Sequence, residues 1–204
     1  MSETVLRAKA ATAGRPGAVI LVRHGEPALS REVRLSASEY RDWWALYEEG
    51  GLKAVQETPE DLKAVAANAG VVLASTRLRS IQSADLLTGG GSFTRELGFI
   101  EAPLPPPRFP AWLKLSPRIW GFLARFWWWW FNHHEGQESR REAQGRAAVA
   151  ADRLIALAAG GADVLLVAHG FFNAMIGRAL IAKGWRRTLG RGYRYWSVRR
   201  FEAP

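Results

Sequence analysis

Four residues of the 204-residue chain have side chains suited to phosphoryl chemistry and follow short apolar runs: Arg23, His24, Arg79 and His169. A guanidinium group is always charged and can pair through two N–H donors with the oxygens of a phosphoryl group. An imidazole nitrogen can attack phosphorus or exchange a proton near neutral pH. Together the four side chains suit a dianionic phosphoryl group, and this chemistry needs neither a metal ion nor a cofactor.

Three apolar runs would carry these side chains to one edge of a sheet. The runs are GAVILV at 17–22, VVLA at 71–74 and DVLLVA at 163–168, and each predicts a buried strand. In open α/β sheets, ligands bind beyond the carboxyl ends of the strands. We therefore expect the two arginines and two histidines to converge on one pocket.

Helical spacing of apolar residues fills the chain between these runs. It predicts helices at 36–49, 59–70, 78–87, 138–159 and 171–183, the second of them capped by Thr58. The aromatic segment Tyr193–Phe201 predicts a last, edge-like strand. Strands that alternate with helices indicate a sheet covered on both faces. The predicted fold class is a three-layer α/β/α domain with a mostly parallel central sheet.

Composition bounds the class of protein. Hydrophobic residues make up 48% and charged residues 23% of the chain, which disfavours wholesale disorder and a polytopic membrane protein. The absence of cysteine excludes a disulfide scaffold and a cysteine nucleophile, and it fits a cytoplasmic location. Residues 1–16 lack the apolar core of a signal peptide and are expected to be a disordered leader before a single domain at 17–204.

The charge balance is strongly basic. The chain has 28 Lys and Arg against 19 Asp and Glu, a net charge of +9, and the segment Gly177–Pro204 has eight basic residues against Glu202 alone. Basic segments attract phosphates whatever the sequence, but no nucleic-acid-binding motif accompanies this one. We therefore expect no specific nucleic-acid partner and interpret the basic residues as a solubilising surface.

Three segments resemble the histidine phosphatase superfamily, whose members have the phosphoglycerate mutase-like fold. LVRHGEP (Leu21–Pro27) is similar to the signature of that family, and ASTRLRSIQSADLL (Ala74–Leu87) resembles its segment with the second catalytic arginine. That arginine aligns with Arg79 rather than Arg77. VLLVAHGFF (Val164–Phe172) resembles the segment with the second histidine. The chain departs from the family where Ser75-Thr76-Arg77 replaces Ser-Pro-Leu, and where Pro27 replaces a threonine or serine.

Residue chemistry and the resemblance imply the same mechanism. A neutral His24 would attack phosphorus in line and form a phosphohistidine, with its other ring nitrogen held by a backbone carbonyl. Arg23, Arg79 and a protonated His169 would stabilise charge on the phosphoryl oxygens. The expected activity is metal-independent hydrolysis of a small phosphomonoester. The alternatives are a phosphoglycerate mutase-type phosphotransferase and a non-catalytic phosphate-binding or interaction module that kept the fold.

The leaving alkoxide needs a proton, and two carboxyl groups are candidates for its donor. Glu101, in FIEAPLP, follows an apolar stretch and precedes a proline-rich loop, and it resembles the acid segment of some family members. Glu96, in TRELG, resembles the commoner Leu-x-Glu pattern less well. We favour Glu101 and interpret Glu26, beside the nucleophile, as a solvated side chain.

Two further polar pairs lie after the proline-rich loop. Glu138-Ser139 resembles the Gly-Glu-Ser stretch that lies near the pocket in the family, but it could equally be the acidic start of a helix. His133-His134 lie in a polar patch, where surface histidines are expected rather than metal ligands.

A tryptophan-rich segment is the least ordinary part of the sequence. Six of the ten tryptophans lie between Trp112 and Trp130, within a helical insertion at about 103–135. A helix at 118–132 would be about 22 Å long and interrupted by Arg125, too short to cross a bilayer. It could be a lid over the site, a dimer surface, an interfacial amphipathic helix or an ordinary core helix. We expect a partly exposed, lid-like element that gives weak membrane-surface contact or self-association.

Overall fold

Alternating apolar runs and capped helical segments build an α/β fold, seen in a computed structural model that describes residues 14–190 and 192–204. The strands are β1 (Val19–Arg23), β2 (Val71–Ser75), β3 (Thr94–Glu96), β4 (Val164–Ala168), β5 (Arg186–Leu189) and β6 (Val198–Glu202). The helices are α1 (Ala37–Glu49), α2 (Glu60–Asn68), α3 (Leu78–Thr88), α4 (Pro117–Phe131), α5 (Arg140–Ala158) and α6 (Gly170–Ala182). The predicted leader falls mostly on residues 1–13, outside the described residues.

One six-stranded sheet forms the centre, in the order β3-β2-β4-β1-β6-β5. The pairs β1–β4, β2–β4 and β2–β3 are parallel, whereas β6 runs antiparallel to both β1 and β5. The predicted mostly parallel α/β sheet is therefore confirmed. Because β1, β4 and β2 are parallel neighbours, their carboxyl ends share one edge.

Side-chain alternation along β1 divides the core into two layers. Val19 and Leu21 pack in a cluster with residues of α5 and α6. Ile20 and Val22 point to the other face and pack with residues of α2 and α3. Helices therefore cover both faces of the sheet, as the apolar runs predicted.

Two helices begin at capping boxes that the sequence contains. The Ser36 side chain accepts from the Glu39 amide while the Glu39 carboxylate accepts from the Ser36 amide, which starts α1. Ser139 and Glu142 start α5 in the same way. The predicted cap at Thr58 is wrong, because Pro59 occupies the cap position of α2 and makes no side-chain cap bond.

The last strand differs from its prediction. Only Val198–Glu202 of the aromatic segment is extended, and this strand lies inside the sheet between β1 and β5 rather than at its edge. The edge strand on this side of the sheet is β5. Its four residues are all exposed, and its sequence, RRTL, lacks an apolar alternation. The short strand β3 was also not predicted, because its residues, TRE, carry no apolar pattern.

The tryptophan-rich segment packs on α1. Trp120 of α4 is fully buried with Tyr40, Trp43 and Tyr47 of α1 in a third core cluster. The indole N–H of Trp120 donates to the Leu35 carbonyl at 2.6 Å. Within the described part of the chain, no helix has the length and apolar character needed to cross a bilayer.

Candidate active site

The structure brings the predicted histidines together at the shared edge of β1, β4 and β2. His24 follows β1 and His169 follows β4, and their ring centroids are 5.3 Å apart. Ser75, at the end of β2, adds a hydroxyl group to the same place, since it lies 2.9 Å from the His169 ring. The convergence predicted from the strand ends is therefore observed.

His24 is held in the form that a nucleophile needs. Its Nδ1 lies 2.8 Å from the Gly25 carbonyl, and because a carbonyl only accepts, Nδ1 must carry the proton. Nε2 then has the lone pair. Burial lowers the pKa of His24 well below its usual value of 6.5, and the cations Arg79 and Arg23 lower it further, so the ring is neutral near pH 7.

His169 is also buried and neutral. Arg79 can only donate, so its Nη2, 3.3 Å from His169 Nδ1, requires that nitrogen to be an acceptor. His169 Nε2 therefore carries the proton and donates to Ser75 Oγ at 2.9 Å. Burial first, and then Arg79, lower the pKa of His169 well below 6.5. Protonation of His169 is disfavoured in this arrangement, because a buried imidazolium would lie beside the Arg79 guanidinium.

Arg79 is fully buried, and most of its donors already have protein acceptors. Nη1 donates to the carbonyls of Tyr47 and Glu48 at 2.7 and 3.2 Å, and Nη2 donates to the Glu48 carboxylate at 2.6 Å. Among the described residues, its Nε has no acceptor. Bidentate hydrogen bonding of Arg79 to a phosphoryl group, as predicted, is therefore not available in this arrangement. Arg79 can offer a phosphoryl group one N–H donor and its positive charge.

Arg23 and Arg31 add two more cations beside the histidines. Arg23 donates to the Tyr193 carbonyl, and its guanidinium carbon lies 4.4 Å from the Tyr195 ring centroid. Arg31 lies 5.6 Å from the same centroid and donates to the Tyr47 hydroxyl at 2.8 Å. Both arginines have a buried Nε without an acceptor in the described part of the chain. An oxyanion would satisfy such donors.

Glu101 lies at the amino end of α6, directly beyond His169. Its Oε1 accepts from the amides of Phe172 at 2.8 Å and Ala102 at 3.2 Å, and its Oε2 faces the Phe171 amide at 3.3 Å. The side chain is almost buried and lines the same cleft as Arg23. Glu101 therefore lies between Arg23 and the amino end of α6, and its role as the acid stays a prediction.

The competing carboxylates are held elsewhere. Glu96 pairs with Arg153 of α5 at 3.1 Å, beside the edge strand β3. Glu26 is half exposed and pairs with Lys53 at 2.7 Å. Neither of them lines the cleft that contains Arg23 and Glu101.

The other predicted polar pairs have local partners. Both carboxylate oxygens of Glu138 lie 2.7 Å from guanidinium nitrogens of Arg146, which makes a two-point ion pair before α5. His133 Nε2 lies 3.3 Å from the Pro106 carbonyl, and His134 Nδ1 lies 3.0 Å from the Gln137 carbonyl. The contacts of these residues stabilise the loop between α4 and α5, and they do not involve the two histidines of the pocket.

Two glycines make the close packing of the pocket possible. A Cβ at position 25 would lie 2.5 Å from the Trp196 ring, and one at position 170 would lie 3.1 Å from the Arg23 side chain. Only a residue without a side chain fits at Gly25. The glycine of the RHG motif is therefore required by space, whereas the glycine of the HG motif lies in tight contact with the Arg23 side chain.

Sequence reasoning missed the residues that support the arginines. Tyr47 and Glu48, at the end of α1, accept from Arg79, and Glu48 also pairs with Arg77 at 2.9 Å. Arg31 lies in an irregular loop. No periodic signal distinguishes these residues, because the contacts depend on how α1 packs against the sheet. Ser75 was detectable, since it ends a predicted strand.

Comparison with known proteins places this geometry in a family. A family model described as histidine phosphatase superfamily (branch 1) matches residues 19–203. No curated protein is similar enough in sequence to count as a match.

Solved structures share the fold at low sequence identity. The product of an open reading frame of Mycobacterium tuberculosis is 20% identical, with a TM-score of 0.56 and 90% of each chain covered. A mycobacterial glucosyl-3-phosphoglycerate phosphatase is 18% identical, with a TM-score of 0.54 and 92% of each chain covered. A phosphoglycerate mutase from Bacillus anthracis is 17% identical, with a TM-score of 0.53, and the match covers 91% of this chain and 88% of that one. With histidines following two parallel strands and a family match over nearly its whole length, the chain belongs to the histidine phosphatase superfamily.

Proposed function

We propose that the protein is a phosphatase that hydrolyses a phosphomonoester through a phosphohistidine on His24. The observation that carries the proposal is the bond between His24 Nδ1 and the Gly25 carbonyl at 2.8 Å, which directs the lone pair to Nε2. A neutral, buried imidazole surrounded by three arginines can approach a phosphoryl dianion without a negative charge of its own. The absence of cysteine fits the cytoplasm as the place where this enzyme works.

The reaction has two balanced steps. In the first, His24 Nε2 forms a bond to phosphorus as the ester P–O bond breaks, and the leaving alkoxide takes a proton. In the second, water attacks phosphorus, the P–N bond breaks, and orthophosphate leaves while a base takes the proton of the water. Dividing one difficult displacement into two easier ones is the advantage of a covalent intermediate.

The arginines and Glu101 have separate roles in this proposal. Arg23 and Arg31 bring charge and unpaired N–H donors to the phosphoryl oxygens, while Arg79 holds His169 and contributes its charge. Glu101 is the group that protonates the leaving alkoxide and then accepts the proton of the attacking water. Its place between the amino end of α6 and the cleft supports this role.

Activity of a nucleophile variant tests the proposal. Release of orthophosphate from p-nitrophenyl phosphate should fall at least 1,000-fold in His24→Asn, since asparagine offers no nitrogen nucleophile. His134→Asn is the matched control, because His134 lies in the loop after α4, where its ring hydrogen-bonds with the Gln137 carbonyl. A chelator should leave the rate unchanged, because guanidinium groups supply the positive charge. Equal rates in the wild type and in His24→Asn would overturn the proposal.

The role of Glu101 has its own readout. Glutamine has no acidic proton to transfer, so Glu101→Gln should slow alkyl phosphates far more than p-nitrophenyl phosphate, whose phenolate needs little protonation. Glutamine would also present an amide N–H to the backbone amides of α6, which lowers stability and affects all substrates equally. The ratio of the two rates separates these effects. An unchanged ratio would assign Glu101 a purely structural role.

A further inference from the structure

The candidate active site opens into a cleft of about 600 Å³ that α4 walls on one side. Arg23, Glu101 and Gly170 line its inner end. Half of the residues that line it are aromatic, and those from α4 and α6 are Phe122, Phe126, Trp129, Trp130 and Phe171. The cleft therefore extends from Arg23 and Glu101 to the aromatic face of α4.

The aromatic side chains of this cleft are exposed to an unusual degree. Phe122 and Trp130 are 67% and 69% exposed, and Phe126 is 40% exposed. Exposed apolar surface on this scale marks a place where an apolar ligand or partner binds. The stretch of α4 from Phe122 to Trp130 extends about 12 Å along the helix axis. Its length and its continuity with the site suit an extended ligand that enters the pocket at one end.

The charges of the cleft define the other end of that ligand. Five arginines line it, namely Arg23, Arg31, Arg118, Arg125 and Arg178, and among the described residues Glu101 is its single carboxylate. Arg125 and Arg178 lie over aromatic rings, at 5.5 Å from the Phe171 centroid and 5.1 Å from the Trp129 centroid. This combination favours a molecule that is anionic at its head and apolar along its length, and it disfavours a cationic or fully polar one.

We propose that the substrate is a lipid-like phosphomonoester, with its phosphate at His24 and a long hydrocarbon tail along the aromatic face of α4. This inference rests on the proposed function and adds the substrate class. The tail removes the exposed aromatic surface of α4 from water, while the arginines at the inner end hold the phosphate. A short or highly hydroxylated phosphomonoester would leave that surface uncovered.

A chain-length series tests the substrate class. The n-propyl and n-decyl phosphates have the same kind of leaving alkoxide and differ only in the tail, so kcat/KM compares apolar recognition alone. Burial of each methylene is worth up to about fourfold, so the decyl ester should exceed the propyl ester by at least about 100-fold, below its aggregation concentration. Equal kcat/KM values would overturn the inference.

A pair of variants locates the tail. The double variant Phe122→Ser with Trp130→Ser should lower the decyl to propyl ratio about tenfold, because two apolar walls are lost. Both side chains are exposed, so the fold does not depend on them. Trp112→Ser is the matched control, since Trp112 is 79% exposed, precedes α4 and does not line the cleft. The same loss in the control, or no loss in the double variant, would contradict the placement.

A binding measurement separates this inference from the proposed function. Calorimetric titration should show n-decyl phosphate binding to the wild-type protein more tightly than n-propyl phosphate. Tighter decyl binding without hydrolysis of either ester would support the inference and overturn the proposed phosphatase activity. Hydrolysis of both esters with equal affinity would support the phosphatase and overturn the inference.

Discussion

At the scale of single residues, burial decides what the two histidines can do. Each ring is enclosed beside at least one guanidinium group, and each has one nitrogen fixed by a partner that only donates or only accepts. The tautomers of His24 and His169 therefore follow from hydrogen bonding rather than from pH. The lone pair of His24 is therefore on Nε2, whereas both ring nitrogens of His169 are hydrogen-bonded, one to Arg79 and one to Ser75.

The histidines make stability depend on pH. Their pKa values in the folded protein lie well below 6.5, so below pH 6.5 the unfolded chain takes up protons that the folded chain does not. The free energy of unfolding should then fall as the pH decreases from 6.5, by about 1.4 kcal/mol per pH unit for each histidine. Urea denaturation across this range measures the slope. His24→Asn should roughly halve it, and a slope that vanishes in the wild type would contradict the buried neutral rings.

Arg79 and Arg77 differ in burial although both pair with Glu48. Arg79 is fully buried with acceptors on both terminal nitrogens, whereas the Arg77 side chain is about one-third exposed. Lysine cannot make several directed bonds at once, so Arg79→Lys should cost at least 100-fold in kcat/KM and Arg77→Lys less than tenfold. Steady-state assays of both variants decide this. The reverse order would shift the alignment of the second arginine by two residues.

Sequence alone located the residues at strand ends and missed those that depend on packing. Arg23, His24 and His169 were predictable because an apolar run fixes where a strand ends, and Ser75 shares that logic. Arg31 and Glu48 reach the site only because their loop and helix fold back over the sheet edge. A pattern of apolar residues contains no information about such an approach.

At the scale of elements, α4 has two chemically similar but physically different sides. Trp128 is fully buried, donates to the Glu138 carbonyl at 3.1 Å and meets Phe171 edge to face. Trp130, two residues later, is 69% exposed. The expectation of a partly exposed element near the pocket agrees with this arrangement, because four successive tryptophans point around the whole helix.

The two tryptophans give a matched test of α4. Trp128→Ala should lower the free energy of unfolding by about 3–5 kcal/mol, because it leaves a large cavity and an unpaired carbonyl. Trp130→Ala should change it by less than about 1 kcal/mol. Urea denaturation of both variants measures the difference. Similar losses would mean that α4 is an ordinary core helix on all sides.

Elements were predictable where the hydrophobic pattern was strong. The strands β1, β2 and β4 follow from residue type and spacing, so the three parallel strands at the centre of the sheet were predicted correctly. The antiparallel half was not, because β6 gains its place from pairing with β1 and β5 contains no apolar alternation. Whether such a segment becomes a strand, and where it lies in the sheet, depends on pairing with distant strands. The local sequence does not indicate that pairing.

At the scale of the whole molecule, the net charge of +9 and the aromatic face of α4 act together. We expect weak association with anionic vesicles or self-association through α4, because exposed aromatic rings favour the headgroup region and arginines favour anionic lipid. Vesicle co-sedimentation at low and high salt, with light scattering, measures both. A strictly monomeric protein that binds no vesicles would contradict this expectation.

The shared fold leaves the substrate to the elements around the pocket. A glucosyl-3-phosphoglycerate phosphatase and a phosphoglycerate mutase have the same architecture as this chain at low identity. Folds of this kind host several reactions, so we expect substrate specificity to depend on the elements around the pocket rather than on the shared sheet. In this molecule α4 lines the cleft beside Arg23 and Glu101, which makes this helix the place where we expect substrate selection.

Trapping the phosphoenzyme is the sharpest test of the proposal that His24 forms a phosphohistidine. The protein is mixed with a phosphoryl-labelled substrate, quenched within milliseconds and analysed for label on the polypeptide. We expect a label that survives base, is lost in acid, maps to the peptide containing His24 and is absent from His24→Asn. Turnover without any labelled protein, or a label retained in His24→Asn, would contradict it.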